Sequence, residues 1–218
     1  MNRREAFATV AFVSWLSCAF AASPCPPEGS SKQARIQALD RLKNRTGPPL
    51  FFDSSITLER MLEIGDDTNR FRPDQGATIQ GYVALVKPGG PETCHCGKGG
   101  VAEEDTHIAI VSDPTYTVEK PVSVMTTDKH GKKHTRVLDA NAVHHVIVEA
   151  TPQFRAINRD TPTLRKELKP GTRVRVTGWL FFDAEHVQNA FNTNPHGTYL
   201  WRAAAWEIHP VTKIEVIK

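Results

Sequence analysis

Hydrophobic and polar residues alternate along most of the chain from residue 77 onward, in runs rich in β-branched side chains and separated by Gly and Pro. A period of two is typical of β-strands that bury one face. The pattern predicts five main strands, at residues 78–87, 106–112, 144–150, 173–182 and 201–216. The last two thirds of the chain are therefore predicted to be mainly β.

A short helix is predicted between the third and the fourth of these strands. Thr161 is placed to cap it, Pro162 stands at its first position, and a Pro-Gly pair ends it. Three strands, a helix and two strands is the order of the OB-fold, a five-stranded barrel. Gly178 predicts a bend or bulge in the fourth strand. Residues 113–143 are too many for a plain loop, so we expect an OB-fold-like barrel with an inserted hairpin.

The segment before the barrel has a helical pattern. Ile36, Leu39 and Leu42 fall on one side of a first helix, and a second short helix follows. We expect both helices to pack against the barrel. The predicted organisation is a helical N-terminal extension at residues 22–75 and the barrel at residues 76–218.

Residues 1–21 have the features of a secretory signal peptide. Two arginines precede an apolar run that is too short to span a membrane. Small residues at the end of this run are those that a signal peptidase requires for cleavage after Ala21. Cys18 lies in a sequence similar to a lipobox, but Trp15 stands where a Leu is wanted, so lipidation is the less favoured alternative. No long apolar segment follows, and we expect an exported protein, periplasmic or secreted, without an integral membrane segment after cleavage.

The charge of the chain is too mild to indicate nucleic acid as a partner. The formal net charge is +3, and it falls to +2 when residues 1–21 are removed with two arginines and one glutamate. Two basic runs, at residues 129–136 and 165–175, are explained by solvated loop and helix faces. The sequence also contains no phosphate-binding glycine loop, nucleophile elbow, zinc-protease helix or CxxC pair. These absences lower the expectation of a common enzyme class.

Potential metal ligands are concentrated between the first two strands. They are Cys94, His95, Cys96, Asp105 and His107. Zn²⁺ or Cu accepts such a mixture of thiolate, imidazole and carboxylate. The favoured alternative is a disulfide, because an exported chain keeps Cys25, Cys94 and Cys96 after cleavage. Cys25 paired with Cys94 or Cys96 would leave one free thiol, whereas a Cys94 to Cys96 bridge would close a strained ring.

A second group of acids and histidines lies between the fourth and fifth strands. Its members are Asp183, Glu185, His186 and His196. In OB-folds this loop and the loop after the first strand flank one groove, so the two groups are predicted to converge. A carboxylate beside an imidazole can bind a metal or move a proton. The simpler alternative is that Asp183 and His186 only hydrogen-bond the backbone of the loop.

Further residues of the last two strands are candidates to line this groove. The candidate ligand-binding residues are Arg173, Arg175, Trp179, Asp183, His186, Trp206, Glu207 and His209. The tryptophans would stack on a ligand, and the arginines would contact phosphate. The alternative for the tryptophans is the core. For Glu207 and His209, together with His107 and Glu149, the alternative is a satisfied structural network.

Several short segments between residues 41 and 216 carry a resemblance. They are Gly81-Tyr82-Val83, Glu92-Thr93-Cys94-His95-Cys96, Asp105-Thr106-His107-Ile108, Glu149-Ala150-Thr151-Pro152, Gly178-Trp179, Asp183-Ala184-Glu185-His186 and Trp206-Glu207-Ile208-His209-Pro210-Val211-Thr212. Together they resemble a family of exported bacterial proteins with an OB-like barrel. The resemblance implies the fold and the exported location, but no substrate and no catalytic residue. The insertion at 113–143 is longer than the family's pattern.

Three hypotheses about function follow. The first is an exported OB-fold binding module that holds a nucleic acid strand, a glycan or a peptide in the barrel groove. The second is a metal-dependent phosphodiesterase or nuclease, with Asp105, His107, Asp183 and His186 as metal ligands and an arginine of the fourth strand on the phosphate. The third is a structural envelope domain that a disulfide staples together.

Overall fold

The computed structural model describes residues 25–116, 122–127, 130–138, 142–154 and 160–218. The predicted signal peptide at 1–21 and the lipidation candidate Cys18 lie outside the described residues. Among the residues described, the helices are too short and too polar to cross a bilayer.

Three helices and eight strands organise the chain as described. In chain order they are α1 (Ala34–Lys43), α2 (Leu58–Leu62), β1 (Gly76–Pro88), β2 (Thr106–Val111), β3 (Val122–Thr127), β4 (Lys133–Leu138), β5 (His145–Ala150), α3 (Thr161–Glu167), β6 (Arg173–Phe182), β7 (Tyr199–Leu200) and β8 (Trp206–Val216). Five strands close into a barrel in the order β1-β2-β5-β8-β6, and β6 pairs with β1. All pairs in the barrel are antiparallel except β5 with β8. The predicted fold class, a five-stranded OB-fold-like barrel, is confirmed.

The interior of the barrel is apolar. Alternate residues of each strand, such as Ile108, Val148 and Ile208, meet there. Leu164 and Leu168, from α3 and the residue that ends it, enter the same core. Asp160 caps α3 in place of the predicted Thr161: its side chain accepts the Thr163 N–H at 3.0 Å, and the helix begins one residue earlier than predicted, at Thr161.

The strands β2 and β5 are buried on both faces. On the outer face, Ala84, Ala109, Val111 and Ile147 form a second, smaller apolar cluster. Burial of both faces is unusual for antiparallel strands, which commonly expose one face to water. It means that polar residues on the outer face of these strands are buried as well.

The insertion between β2 and β5 forms the predicted hairpin. β3 and β4 pair in antiparallel fashion, and β7 adds to β4 in parallel. The bulge expected at Gly178 is also confirmed, since the register between β6 and β8 shifts there. A side chain at Gly178 would collide with the carbonyl oxygen of Pro210.

Two predicted details are wrong. The last strand begins at Trp206, because 201–205 belong to the loop before it. In α1 the buried residues are Ile36, Asp40 and Lys43, whereas Leu39 and Leu42 are only partly buried. The buried face of α1 is therefore largely polar, and it packs against other polar groups.

Candidate metal centre

A group of ionisable side chains is buried on the outer face of the barrel wall. Because neighbouring residues of a strand point to opposite faces, His107, Glu149 and Glu207 point away from the apolar interior. Other charged or polar side chains join them from α1, from the loop before β2, from the segment between β6 and β8, and from β8 itself. We name this group the buried polar cluster: Lys43, Glu92, Cys94, His95, Asp105, His107, Glu149, Asp183, Arg202, Glu207 and His209.

The N-terminal extension covers the cluster. A disulfide joins Cys25 to Cys96, in the loop between β1 and β2. Asn44, next to α1, donates to the Cys94 carbonyl at 2.8 Å. Lys43 Nζ lies 2.6 Å from Glu92 Oε2. These contacts tie the N-terminal extension to the loop at 89–105.

Cys94, His95 and Asp105 form one end of the cluster. Cys94 and His95 lie in a short 3-10 turn, Thr93–His95. Cys94 Sγ lies 3.6 Å from His95 Nδ1 and 3.9 Å from His95 Nε2. His95 Nε2 lies 3.6 Å from Asp105 Oδ1. As far as the chain is described, neither carboxylate oxygen of Asp105 has a hydrogen-bond partner.

Burial disfavours the charged form of each of these three groups. Burial raises the pKa of the Cys94 thiol, and it raises the pKa of the Asp105 carboxyl group well above its usual range. Burial also lowers the pKa of His95. Without a cation, this end of the cluster therefore favours neutral side chains.

His107, Glu149 and His209 form the middle of the cluster. His107 is directly opposite Glu149 in the β2–β5 register, and His107 Nε2 lies 3.0 Å from Glu149 Oε1 and 4.0 Å from Glu92 Oε1. The fully buried His209 has Nδ1 3.2 Å from Glu149 Oε2 and Nε2 3.6 Å from Asp105 Oδ2. Its Nδ1 also lies 3.4 Å from Glu207 Oε2, so that one imidazole lies among three buried carboxyl groups.

The two histidines keep Glu149 ionised. Burial opposes this charge, but His107 and His209 together lower the pKa of Glu149 well below its usual range. Reciprocally, burial works against protonation of His107, yet Glu149 raises its pKa. Glu207 differs, because burial and the charge of Glu149 raise its pKa.

Arg202 holds the far end of the cluster. Its guanidinium lies 2.6 Å from Glu207 Oε1 and 2.9 Å from Asp183 Oδ2. Asp183 Oδ2 also lies 2.6 Å from His186 Nδ1. Although Asp183 is buried, the hydrogen bond from His186 and the charge of Arg202 lower its pKa. That hydrogen bond is also the main cause that raises the pKa of His186.

The two groups of loop residues are therefore neighbours, but they are not one ligand set. Arg202 and Glu207 lie between Asp183 and the pair formed by Asp105 and His209. The oxygens of Asp183 already accept from Arg202, from His186 and from the Glu185 backbone. Asp183 thus does more than hold the loop backbone, since it neutralises a buried arginine, and His186 supports it with a hydrogen bond.

The structure decides which cysteine pairs with Cys25. The expected disulfide with Cys25 is confirmed, and Cys96 is the partner. Cys96 as a metal ligand is therefore wrong, because a disulfide sulfur cannot supply a thiolate. Cys94 is the free cysteine of the residues described, and it is buried.

Trp206 does not form the expected stacking surface. It is buried at 2% exposure among Phe71 and Phe182, and its Nε1 donates to the Asp67 carbonyl at 2.6 Å. Trp179 is half-covered, because the Arg45 guanidinium lies 4.1 Å from its ring centre. Glu207 and His209 are buried in the cluster and do not line an open groove.

The predicted phosphate contacts lie elsewhere. Arg175 is eight residues from Asp183 along β6, which is about 26 Å of extended strand. It pairs at 4.0 Å with Glu215. Arg173 lines a separate surface groove of about 380 Å³ with Gln80 and Tyr82. Neither arginine joins the buried polar cluster.

Several members of the cluster were not predicted as site residues. Glu92 and Lys43 carry no periodic signal, since a charged residue in a loop or on a helix is usually solvated. Arg202 lies in a segment that was assigned to the last strand. Glu149 was named from the sequence beside His107, but its burial follows only from the cover on both faces of β5.

Three sets of ligand atoms in the cluster are close enough to hold an ion. Within each set the atoms lie within 4.8 Å of one another: Cys94, His95 and Asp105; Glu92, His107 and Glu149; and Asp105, Glu149 and His209. No family model matches the chain, and no curated protein matches it either. The resemblance to exported barrel proteins therefore stays a prediction, and the geometry of the cluster carries the functional argument.

Proposed function

We propose that this protein is an exported barrel that binds a transition-metal ion at Cys94, His95 and Asp105. The proposal rests mainly on Asp105. Its carboxyl group is buried at 1% exposure and makes no hydrogen bond within the described residues. Each of its two oxygens lies 3.6 Å from an imidazole nitrogen. Such a separation is too long for a hydrogen bond. It is close to the distance of about 3.3 to 3.6 Å between two ligands of one tetrahedral zinc ion.

The donor set favours zinc. Thiolate, imidazole and carboxylate are the ligands of protein zinc sites, and the same thiolate and imidazole make Cu the alternative. A divalent ion would reverse the preference of Cys94 and Asp105 for their neutral forms, because its charge stabilises both anions. His209 would support the site as an outer partner of Asp105, with its other nitrogen held by Glu149 and Glu207.

The burial of the site favours binding over hydrolysis. Cys94 and Asp105 are each 1% exposed beneath the N-terminal extension. Three protein ligands leave the fourth position of a tetrahedral zinc ion open, as in catalytic sites, but here the burial of the ligands restricts the access of a substrate to that position. The phosphodiesterase hypothesis also needed Arg173 or Arg175 near the metal, and both lie along β6 away from it.

The N-terminal extension also argues against a polymeric ligand in the groove between the two loops. Lys43 occupies that space, 2.6 Å from Glu92 of one loop and 3.9 Å from Glu185 of the other. The ligand that we propose for this binding module is therefore a metal ion. The Cys25–Cys96 disulfide supports an oxidising compartment, and with it the proposal of a periplasmic or secreted protein.

Zinc affinity of the purified exported protein tests the proposal. Cys94→Ser and Asp105→Asn should each weaken zinc binding, measured by isothermal titration calorimetry, by at least about 100-fold, since loss of an outer-shell partner alone typically costs about 10- to 100-fold. His196→Ala and Asp113→Asn, at exposed positions, are the matched controls and should bind as wild type. Wild-type binding by folded Cys94→Ser and Asp105→Asn would refute the site.

A further inference from the structure

A second set of ligand atoms lies next to the proposed zinc site. Glu92, His107 and Glu149 place one ligand atom each within 4.8 Å of the others. His107 is more than nine-tenths buried. Its Nε2 is ion-paired with Glu149 Oε1 at 3.0 Å. Over the described ranges its Nδ1 has no hydrogen-bond partner, and a buried imidazole nitrogen without one is costly unless something else binds it.

Gly89 lies next to both sets of ligands. A Cβ at residue 89 would lie 2.7 Å from His107 Nε2, so that any side chain there would crowd this nitrogen. The same Cβ would touch Asp105 at 3.4 Å. A glycine at this position therefore keeps His107 Nε2 from being covered by a side chain of residue 89.

The cluster contains more acidic groups than permanent cations. Within the described residues it contains five carboxyl groups and two permanent cations, Lys43 and Arg202. Arg202 is paired with Asp183 and Glu207, and Lys43 is paired with Glu92. A zinc ion bound by the Cys94 thiolate and Asp105 would leave Glu149 with His107 and His209 as its partners.

His209 lies between the two sets of ligands. Its Nε2 faces Asp105, and its Nδ1 faces Glu149 Oε2 at 3.2 Å. Its Nδ1 also lies 3.4 Å from Glu207 Oε2. An ion on Asp105 or on Glu149 would therefore change the charge that His209 faces on that side.

We propose that Glu92, His107 and Glu149 bind a second divalent cation, so that the cluster is a two-metal centre with His209 between the ions. This inference rests on the proposed function, because the second ion completes the same cluster. The second site has no sulfur ligand, and Glu92 is 21% exposed. It should therefore bind more weakly than the first site and exchange its ion faster.

Cobalt distinguishes the two sites, because only the first contains a thiolate. Co²⁺ would be titrated into the metal-free exported protein while the thiolate-to-cobalt absorption and the total bound cobalt are both followed. The absorption should saturate at one equivalent and the bound cobalt at two. Cys94→Ser should lose the absorption and keep one equivalent, whereas His107→Gln should keep the absorption and lose the second equivalent.

The outcomes separate the two proposals. One equivalent that gives the absorption and is unchanged in His107→Gln would refute the second site and support the first. One equivalent without the absorption, lost in His107→Gln, would refute the first site and support the second. No bound cobalt would refute both. If His107→Gln does not fold, Glu92→Gln, at a partly exposed position, replaces it, and His196→Ala is the control.

Discussion

At the scale of single residues, Asp105 is the most informative position. It is buried, and burial raises its pKa well above the usual range. Two histidines face its oxygens, yet none of the side chains described comes within hydrogen-bonding distance of them. Ionising this buried carboxyl group without a cation beside it would cost several kcal/mol. An uncompensated cost of this kind is expected where a residue serves binding rather than stability.

The pair of Asp183 and His186 gives a pH dependence that is independent of metal. Asp183 raises the pKa of the half-exposed His186. The pair therefore stabilises the fold fully below the usual histidine pKa of about 6.5, and this contribution is lost as pH rises through the raised pKa. With EDTA present, His186→Gln should cost more stability near pH 6 than near pH 9, by no more than about 1 kcal/mol for a partly exposed pair.

Urea unfolding of wild type and His186→Gln at both pH values measures this difference. His196→Gln, at an exposed position, should show no such dependence. A cost of His186→Gln that stays constant, or that grows toward high pH, would contradict the assignment of the pair.

At the scale of elements, the strands were predictable and their outer faces were not. The period of two located β1, β2, β5 and β6 within two residues at each end. It could not show that the outer faces of β2 and β5 are covered, because a polar residue that alternates with apolar ones reads as solvent-facing. His107 and Glu149 were thus found as residues but not as a buried pair.

The helix α1 illustrates the same limit. Apolar periodicity pointed to Leu39 and Leu42, but the helix buries Asp40 and Lys43. The reason is its partner, since the polar cluster lies beneath it: Lys43 meets Glu92, and Asp40 accepts from Thr93 at 3.1 Å. Periodicity finds a buried face only where the neighbouring surface is apolar.

The disulfide between the extension and the loop should matter for stability and for metal binding. Cys25 and Cys96 are separated by 71 residues. In the chain-entropy account, a loop of this length stabilises the fold by about 4 kcal/mol. The double variant Cys25→Ser/Cys96→Ser should lose about that much in urea unfolding, and it should bind zinc more weakly because the loop that carries Cys94 is released.

Cys94→Ser is the matched control for this prediction, because it removes a cysteine and keeps the disulfide. It should lose zinc binding and retain most of the stability of the metal-free protein. Equal losses of stability in the two variants would mean that the disulfide does not hold the extension in place.

At the scale of the whole molecule, the order of the strands identified the barrel. Three strands, a helix and two strands predicted the OB-fold arrangement, and the closed order β1-β2-β5-β8-β6 confirms it. The site could be predicted only in part. Cys94, Asp105 and His107 were found from residue type and spacing, whereas Glu92, Lys43 and Arg202 join them through contacts between distant segments.

We expect a metal ion to be bound by Cys94, His95 and Asp105. Anomalous X-ray diffraction at the zinc absorption edge tests this most directly. Crystals grown with zinc should give a strong anomalous peak about 2.0 to 2.3 Å from the Cys94 sulfur, a His95 ring nitrogen and an Asp105 oxygen. An empty, ordered cluster at saturating zinc, or peaks only at exposed histidines such as His196, would contradict the claim.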